Sequence, residues 1–385
     1  MISNNLNNTT IQMTRGGRQS NFELLRIFAM FIIVSQHYVV HGIRQSFNLS
    51  SASIWLDGGQ FNKMLTSLFI PGGTIGVGIF FILTGYFMYQ SSSYNIKRLL
   101  KLLSQVYFYA LLLDIVFLVL KFSNIYCFPE FPTNQWVFTI INSFIPVTSG
   151  SSGWFTQTYF LLFLFIPVLN KELEKLNKTF SFVIVLVLCW GCWYIPLIFG
   201  FTYSKLQRAI FFYILGAFIK KTDICVKKWI SFIMFWLLWF SFAYIDYKSV
   251  SLNISSHKSL NYIVQLVETA FIIPLAVFFA FSFFKNIELK SSKIINKIAS
   301  TTFGIYLVHD SAFGRPLLWN FIFHVLDIQY DSFYFPLFAF LTILFVFISI
   351  SILDLMRQWF IEKYWLTFIN YRIRIYNEKK SQETN

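Results

Sequence analysis

Arg26, His37 and His41 stand in one apolar stretch, NFELLRIFAMFIIVSQHYVVHG, over residues 21–42. A stretch of that length crosses a bilayer as a helix. Arg26 and His37 are eleven residues apart. At about 100° per residue this is three turns plus about 20°, so both side chains share a face, roughly 16 Å apart along the axis. His41 continues the face one turn further, near the outer interface. Titratable groups in a membrane helix are costly and point into the protein interior or a water-filled cavity. There an imidazole offers proton transfer near neutral pH, and a guanidinium offers a planar fork of donors for a carbonyl or phosphate oxygen. The bland alternative makes Arg26 a topology anchor and His37 an interhelical hydrogen bonder.

Four other groups could carry chemistry. His309 and Asp310 close the segment Ser300-Thr301-Thr302-Phe303-Gly304-Ile305-Tyr306-Leu307-Val308-His309-Asp310, with Gly314 and Pro316 expected to break the helix just beyond. A buried imidazole beside an acid and a helix break suits a substrate cavity. Arg98 and Lys101, three apart at a helix start, are neighbours on one face and could hold a diphosphate, though positive anchors have the same appearance. In the segment Trp154-Phe155 … Tyr159 … Pro167 … Asn170, the aromatics near the helix start read as an interfacial belt, and taken alone it says nothing about chemistry. Asp114, Glu268, Lys205 and Arg208 lie within or beside spans. Which of Asp114, Glu268 and Asp310 orients an imidazole stays open.

These residues need membrane elements to place them. The 385-residue chain is 56% hydrophobic and only 12% charged, which predicts an all-α, polytopic membrane protein. Ten spans are expected, near 22–41, 74–90, 99–121, 153–170, 180–200, 205–220, 229–247, 261–284, 300–325 and 333–356. Glycines 76, 78 and 85 allow close helix contact in the second, whereas Asp57-Gly58-Gly59 and Pro71-Gly72-Gly73 mark the loop before it. Residues 122–152 form a proline-bearing loop outside the membrane. The layout puts 23 Lys and Arg on one side and seven on the other, with Arg315 inside the ninth span. The excess predicts both termini in the cytoplasm and accounts for the net charge of +14 without nucleic acid. The organisation is a cytoplasmic tail over 1–21, a ten-helix membrane domain over 22–356, and a basic cytoplasmic tail over 357–385. The first apolar segment has no convincing cleavage site and is expected to stay as a helix. The four cysteines form no disulfide framework, and Cys189-x-x-Cys192 lies in an apolar helix, without the context of a redox motif.

Together these segments resemble the membrane-bound acyltransferase 3 family. Arg26-x10-His37 is similar to its first-helix signature. Phe80-Phe81-Ile82-Leu83-Thr84-Gly85-Tyr86 is similar to its FF-hydrophobic-SGY segment, with Thr84 in place of Ser. Arg98-x-x-Lys101 stands where the family has R-x-x-R, and the lysine loses bidentate phosphate geometry. Trp154-Phe155-x3-Tyr159 and Phe303-Gly304-Ile305-Tyr306-Leu307-x-His309 follow in order. The resemblance implies O-acyl transfer, usually of acetyl from cytoplasmic acetyl-CoA, to a surface or capsular polysaccharide or its lipid-linked precursor, in a bacterial plasma membrane. His37, Arg26 and His309 are then the expected catalytic residues, Arg98 and Lys101 the donor-binding pair, and no metal is called for. A secondary transporter is the competing class. It would favour an internal repeat, which the sequence does not display. A purely structural membrane protein would not need Arg26, His37 and His41 aligned.

Overall fold

Apolar chain can cross lipid as helix because every backbone polar group is then satisfied within the segment. The structure, a computed structural model, describes residues 19–44, 59–91, 96–129, 131, 135–149, 153–189, 191, 205–252, 258–330, 332–365, 367 and 371. Among these residues there are helices and turns but no strand. Six helical runs are long and apolar enough to cross a membrane: Ser20–Arg44, Gln60–Met88, Ile96–Phe122, Lys228–Ser251, Ile263–Lys285 and Phe335–Trp365. They correspond to the expected first, second, third, seventh, eighth and tenth spans.

The elements used below are α1 (Ser20–Val39), continued by a π-helical turn Val40–Arg44, α2 (Gln60–Phe69), α3 (Pro71–Met88) and α4 (Ile96–Phe122). They continue with α5 (Gln135–Ser143), α6 (Trp154–Lys175), α7 (Lys178–Cys189), α8 (Lys205–Thr222) and α9 (Lys228–Ser251). The last are α10 (Lys258–Leu266), α11 (Ile273–Lys285), α12 (Lys293–Ala299), α13 (Thr302–His309) and α14 (Phe335–Arg357).

Helix α3 is central, packed against α1, α8 and α11. Its glycines permit this. A Cβ on Gly72 would collide with the carbonyl of Ile32, and one on Gly85 with the carbonyl of Tyr213. Small residues let backbones touch where lipid offers no hydrophobic drive to bring helices together. This corrects the expectation that Pro71-Gly72-Gly73 is loop. Pro71 starts the helix, where its missing N–H is harmless, and Gly72 is a packing residue.

Two further expectations change. The ninth span does not run through 300–325: α13 stops at His309, and π-helical turns Pro316–Ile322 and Val325–Tyr330 follow. The segment 122–152 is not plain loop, since it holds α5 and Phe128, which is buried in a cluster with Phe117 and Phe313. The fourth and sixth expected spans appear as α6 and α8. The fifth appears as α7 up to Cys189, and all of its remainder but residue 191, Cys192 included, lies outside the described residues, as do most of both tails.

Several of the cationic helix ends are paired. Lys221 donates to the carbonyl of Leu173 (2.6 Å), Lys285 pairs with Asp223 (2.6 Å), Lys101 with Glu362 (2.5 Å), and Lys297 donates to Gln358 (3.1 Å). At the opposite end Arg44 pairs with Asp246 (2.6 Å).

Candidate active site

The site is assembled where α13 ends. The N–H of Asp310 donates to the carbonyl of Tyr306 (3.1 Å), and Ser311 Oγ accepts the N–H of Gly314 (3.0 Å), so the chain turns away directly after His309. Pro316, which has no N–H to offer, opens the next helical turn. Asp310 thereby faces α1 and its π-helical continuation instead of lying along a continuous helix.

His37 Nδ1 lies 2.9 Å from His309 Nε2. His309 Nδ1 lies 2.6 Å from the carbonyl oxygen of Ile305. A carbonyl only accepts, so His309 Nδ1 carries the proton, and in a neutral ring its Nε2 accepts. This network assigns the proton on His37 to Nδ1 and leaves the lone pair on Nε2. Asp310 Oδ1 lies 3.6 Å from His37 Nδ1, 3.3 Å from His41 Nε2 and 2.7 Å from Arg315 Nη2. A second donor of Arg315, Nε, reaches the same oxygen at 3.0 Å. The Tyr306 hydroxyl accepts the N–H of Phe155 (3.2 Å) and closes the other flank.

Two cavities adjoin this cluster. One, of about 470 Å³, is lined by Gln36, His37, Thr74, Phe81, Trp154, Lys205, Arg208 and Tyr306 among others. The second, of about 180 Å³, is lined by Arg26, Arg98, Thr84 and Tyr159 and by apolar side chains including Met30, Phe80, Phe87 and Phe303. Tyr306 lines both, so its ring stands between them. Arg26 pairs with Glu23 and lies 5.6 Å over the Phe87 ring. Arg98 donates to the Tyr159 hydroxyl (2.9 Å).

His37 and His309 meet, although 272 positions apart in the chain, and of the two His37 lines the larger cavity. Arg26 lines the second cavity, three turns along α1 from His37. Arg98 lines the same cavity, whereas Lys101 turns to Glu362. His41 is buried beside Asp310. Of the three candidate acids, Asp310 is the one beside the imidazoles. Asp114 accepts from Ser143 (3.0 Å), and Glu268 sits in the π-helical turn Val267–Ile272. Sequence reasoning gave no role to Arg315 or Tyr306. A cation within a span, five positions after an acid, was the available signal for Arg315.

Ligating atoms of His37, His41 and Asp310 lie within 4.8 Å of one another, close enough to hold a metal ion. Arg315, however, already occupies Asp310 Oδ1, and its positive charge opposes a second cation at that oxygen.

An all-α membrane protein with buried imidazoles, a carboxylate and two adjoining cavities is thus in hand. A family model described as acyltransferase domain, of the acyltransferase 3 type, matches residues 19–354, and the chain belongs to that family. It is a multi-pass membrane acyltransferase. No curated protein and no solved structure matches it.

Proposed function

We propose that this acyltransferase moves an acetyl group from cytoplasmic acetyl-CoA to a hydroxyl of a surface or exported polysaccharide, capsular or lipid-linked, in a bacterial plasma membrane. The observation that carries this reading is the pair of cavities meeting at Tyr306, with His37 in the wall of the larger one. With both termini in the cytoplasm, the smaller cavity opens toward the donor. Its apolar sleeve suits the thin pantetheine arm, and Arg26 and Arg98 stand where phosphates or the thioester oxygen would pass.

In this scheme the acceptor hydroxyl enters the larger cavity. His37 Nε2 takes its proton as the oxygen attacks the thioester carbonyl. The tetrahedral intermediate collapses with cleavage of the C–S bond, and the imidazolium returns the proton to the departing thiolate. His309 and Asp310 hold the imidazole and stabilise its transient charge, the part played by an orienting third group in other nucleophile–base systems. Arg26 stays with the donor.

Proton NMR of surface polysaccharide from cells with and without this gene tests the reading. Acetyl methyl signals lost with the gene, and restored by wild-type protein but not by His37→Ala, are expected. Equal acetyl content in the two cell lines overturns it.

A further inference from the structure

Aromatic rings part the two cavities. On α3, Phe81 lines the larger cavity and Phe80 the smaller. At the start of α6, Trp154 lines the larger and Phe155 the smaller. Successive side chains on a helix point about 100° apart, so each pair sends one ring to either side. Tyr306 lines both cavities. The Phe155 ring lies 5.2 Å from that of Tyr306 and 5.2 Å from that of Phe81, centroid to centroid. All three are buried. Tyr306 is also held at its far end, where the hydroxyl accepts the N–H of Phe155 (3.2 Å). Gly153, with φ at 84°, brings the start of α6 against that hydroxyl. The angle favours glycine, and a Cβ there would collide with the hydroxyl and lie 3.3 Å from Asp310 Oδ2. On its other flank Tyr306 meets His309 edge-on at 6.2 Å. The ring wall thus stands between the smaller cavity and the imidazoles.

Such a wall bears on water as a rival nucleophile. The larger cavity, of about 470 Å³, has room for many waters when no sugar fills it. A thioester left within reach of His37 would then be hydrolysed. The water oxygen bonds to the acetyl carbon and the C–S bond breaks. One proton goes to the thiolate and the other is released as the acid ionises, giving acetate and free CoA. We infer that Tyr306 is a specificity-determining residue: with Phe155 and Phe81 it forms a septum that keeps a thioester in the smaller cavity from water in the larger one, so that the acyl group passes to a sugar hydroxyl. An acceptor that fills the larger cavity displaces that water, and the ring then swings aside. One hydrogen bond and a few ring contacts hold the closed state, weakly enough to open in turnover. The inference rests on the acyl-transfer reading for the thioester. The barrier between the cavities does not.

The test uses the full chain in lipid nanodiscs with labelled acetyl-CoA and no acceptor, and reads the acetate released. Wild-type protein should leak acetate slowly. Tyr306→Phe, which keeps the ring and loses the hydroxyl, should raise the leak about two- to tenfold, the net worth of one hydrogen bond. Tyr306→Leu should raise it further, and Gly153→Ala, which crowds the hydroxyl from the other side, should raise it too. A merely structural role would lower the rate instead. A leak that stays level or falls in both Tyr306 variants overturns the inference. A second measurement needs no chemistry on acetyl-CoA. With the four native cysteines changed to serine, Thr84→Cys places a thiol in the smaller cavity. A small, membrane-impermeant methanethiosulfonate added outside intact cells should label it slowly, and about tenfold faster or more once Tyr306→Leu is added. Equal labelling with and without Tyr306→Leu overturns the septum. Faster labelling with no acetate from any variant, and no acetyl on the cells' polysaccharide, upholds the septum and overturns the acyl-transfer reading. Equal labelling and equal leak, with polysaccharide acetylation intact, overturn the septum alone.

Discussion

Two buried aspartates flank the short helix α13, and they do different things. Asp354, on α14, packs against Gly304 near the start of α13, and Asp310 caps its end. Both are buried, and each is paired with an arginine. Asp354 Oδ1 accepts from Tyr109 (2.7 Å), Gln105 (3.1 Å) and Arg357 (2.8 Å), while Oδ2 accepts from Gln358 (2.7 Å). Arg357 passes on to Glu362 (2.9 Å), which also takes Lys101. The groups that donate to Asp354 are two amides, a phenol and a guanidinium, none of them an ordinary general base, so the network serves to hold helices together. Asp310 faces two imidazoles within 4 Å, one of them in a cavity wall. Besides Arg315, its partners are imidazoles, the side chain suited to proton transfer. Burial and pairing alone therefore do not mark a chemical site; the titratability of the partners and their access to a cavity do.

The sharpest way to break the comparison is His37→Ala. Loss of a general base costs about 10²–10⁴-fold in rate, so transfer from labelled acetyl-CoA should nearly vanish. Membrane insertion should persist, because Ala is a good helix former and less polar. Full transfer by a well-inserted variant would sink the mechanism.

Asp354→Ala should act on stability instead. Breaking a buried ion pair costs about 3–5 kcal/mol, which would show as a large fall in melting temperature in detergent. The milder Asp354→Asn, measured per folded molecule, should transfer acetyl at nearly the wild-type rate. Asp310→Asn should reverse the pattern, with transfer down by about ten- to a hundredfold and the melting temperature changed less. If both asparagine variants fail alike in the same assay, the two aspartates are equivalent and the distinction collapses.

Arg26→Lys keeps the charge that sets topology but loses the planar fork. Most activity should go, with a higher KM for acetyl-CoA, and full activity would return Arg26 to a topology anchor. The smallest effect is expected at Lys101. Because it is tied to Glu362 outside the donor cavity, Lys101→Gln should change donor KM by no more than about twofold, whereas Arg98→Gln should change it severalfold. A larger effect at Lys101 than at Arg98 would restore their expected partnership.

Much of this molecule follows from residue order alone. Apolar length dictates helices because lipid cannot satisfy a bare backbone, and the cationic ends gather because charge is excluded from hydrocarbon residue by residue. The shared face of Arg26 and His37, and the helix break beyond His309, come from local geometry. Partner choice is not local. His37 meets His309 only when α13 lies against α1; Asp310 prevails over Asp114 and Glu268 only because α13 ends early enough to turn it inward. Arg98 and Lys101 share a helix face, yet α14 and its extension draw the lysine away to Glu362. Helix periodicity decides what a side chain can face. Packing between segments hundreds of residues apart decides what it does face, and those contacts depend on distances no single stretch of sequence contains.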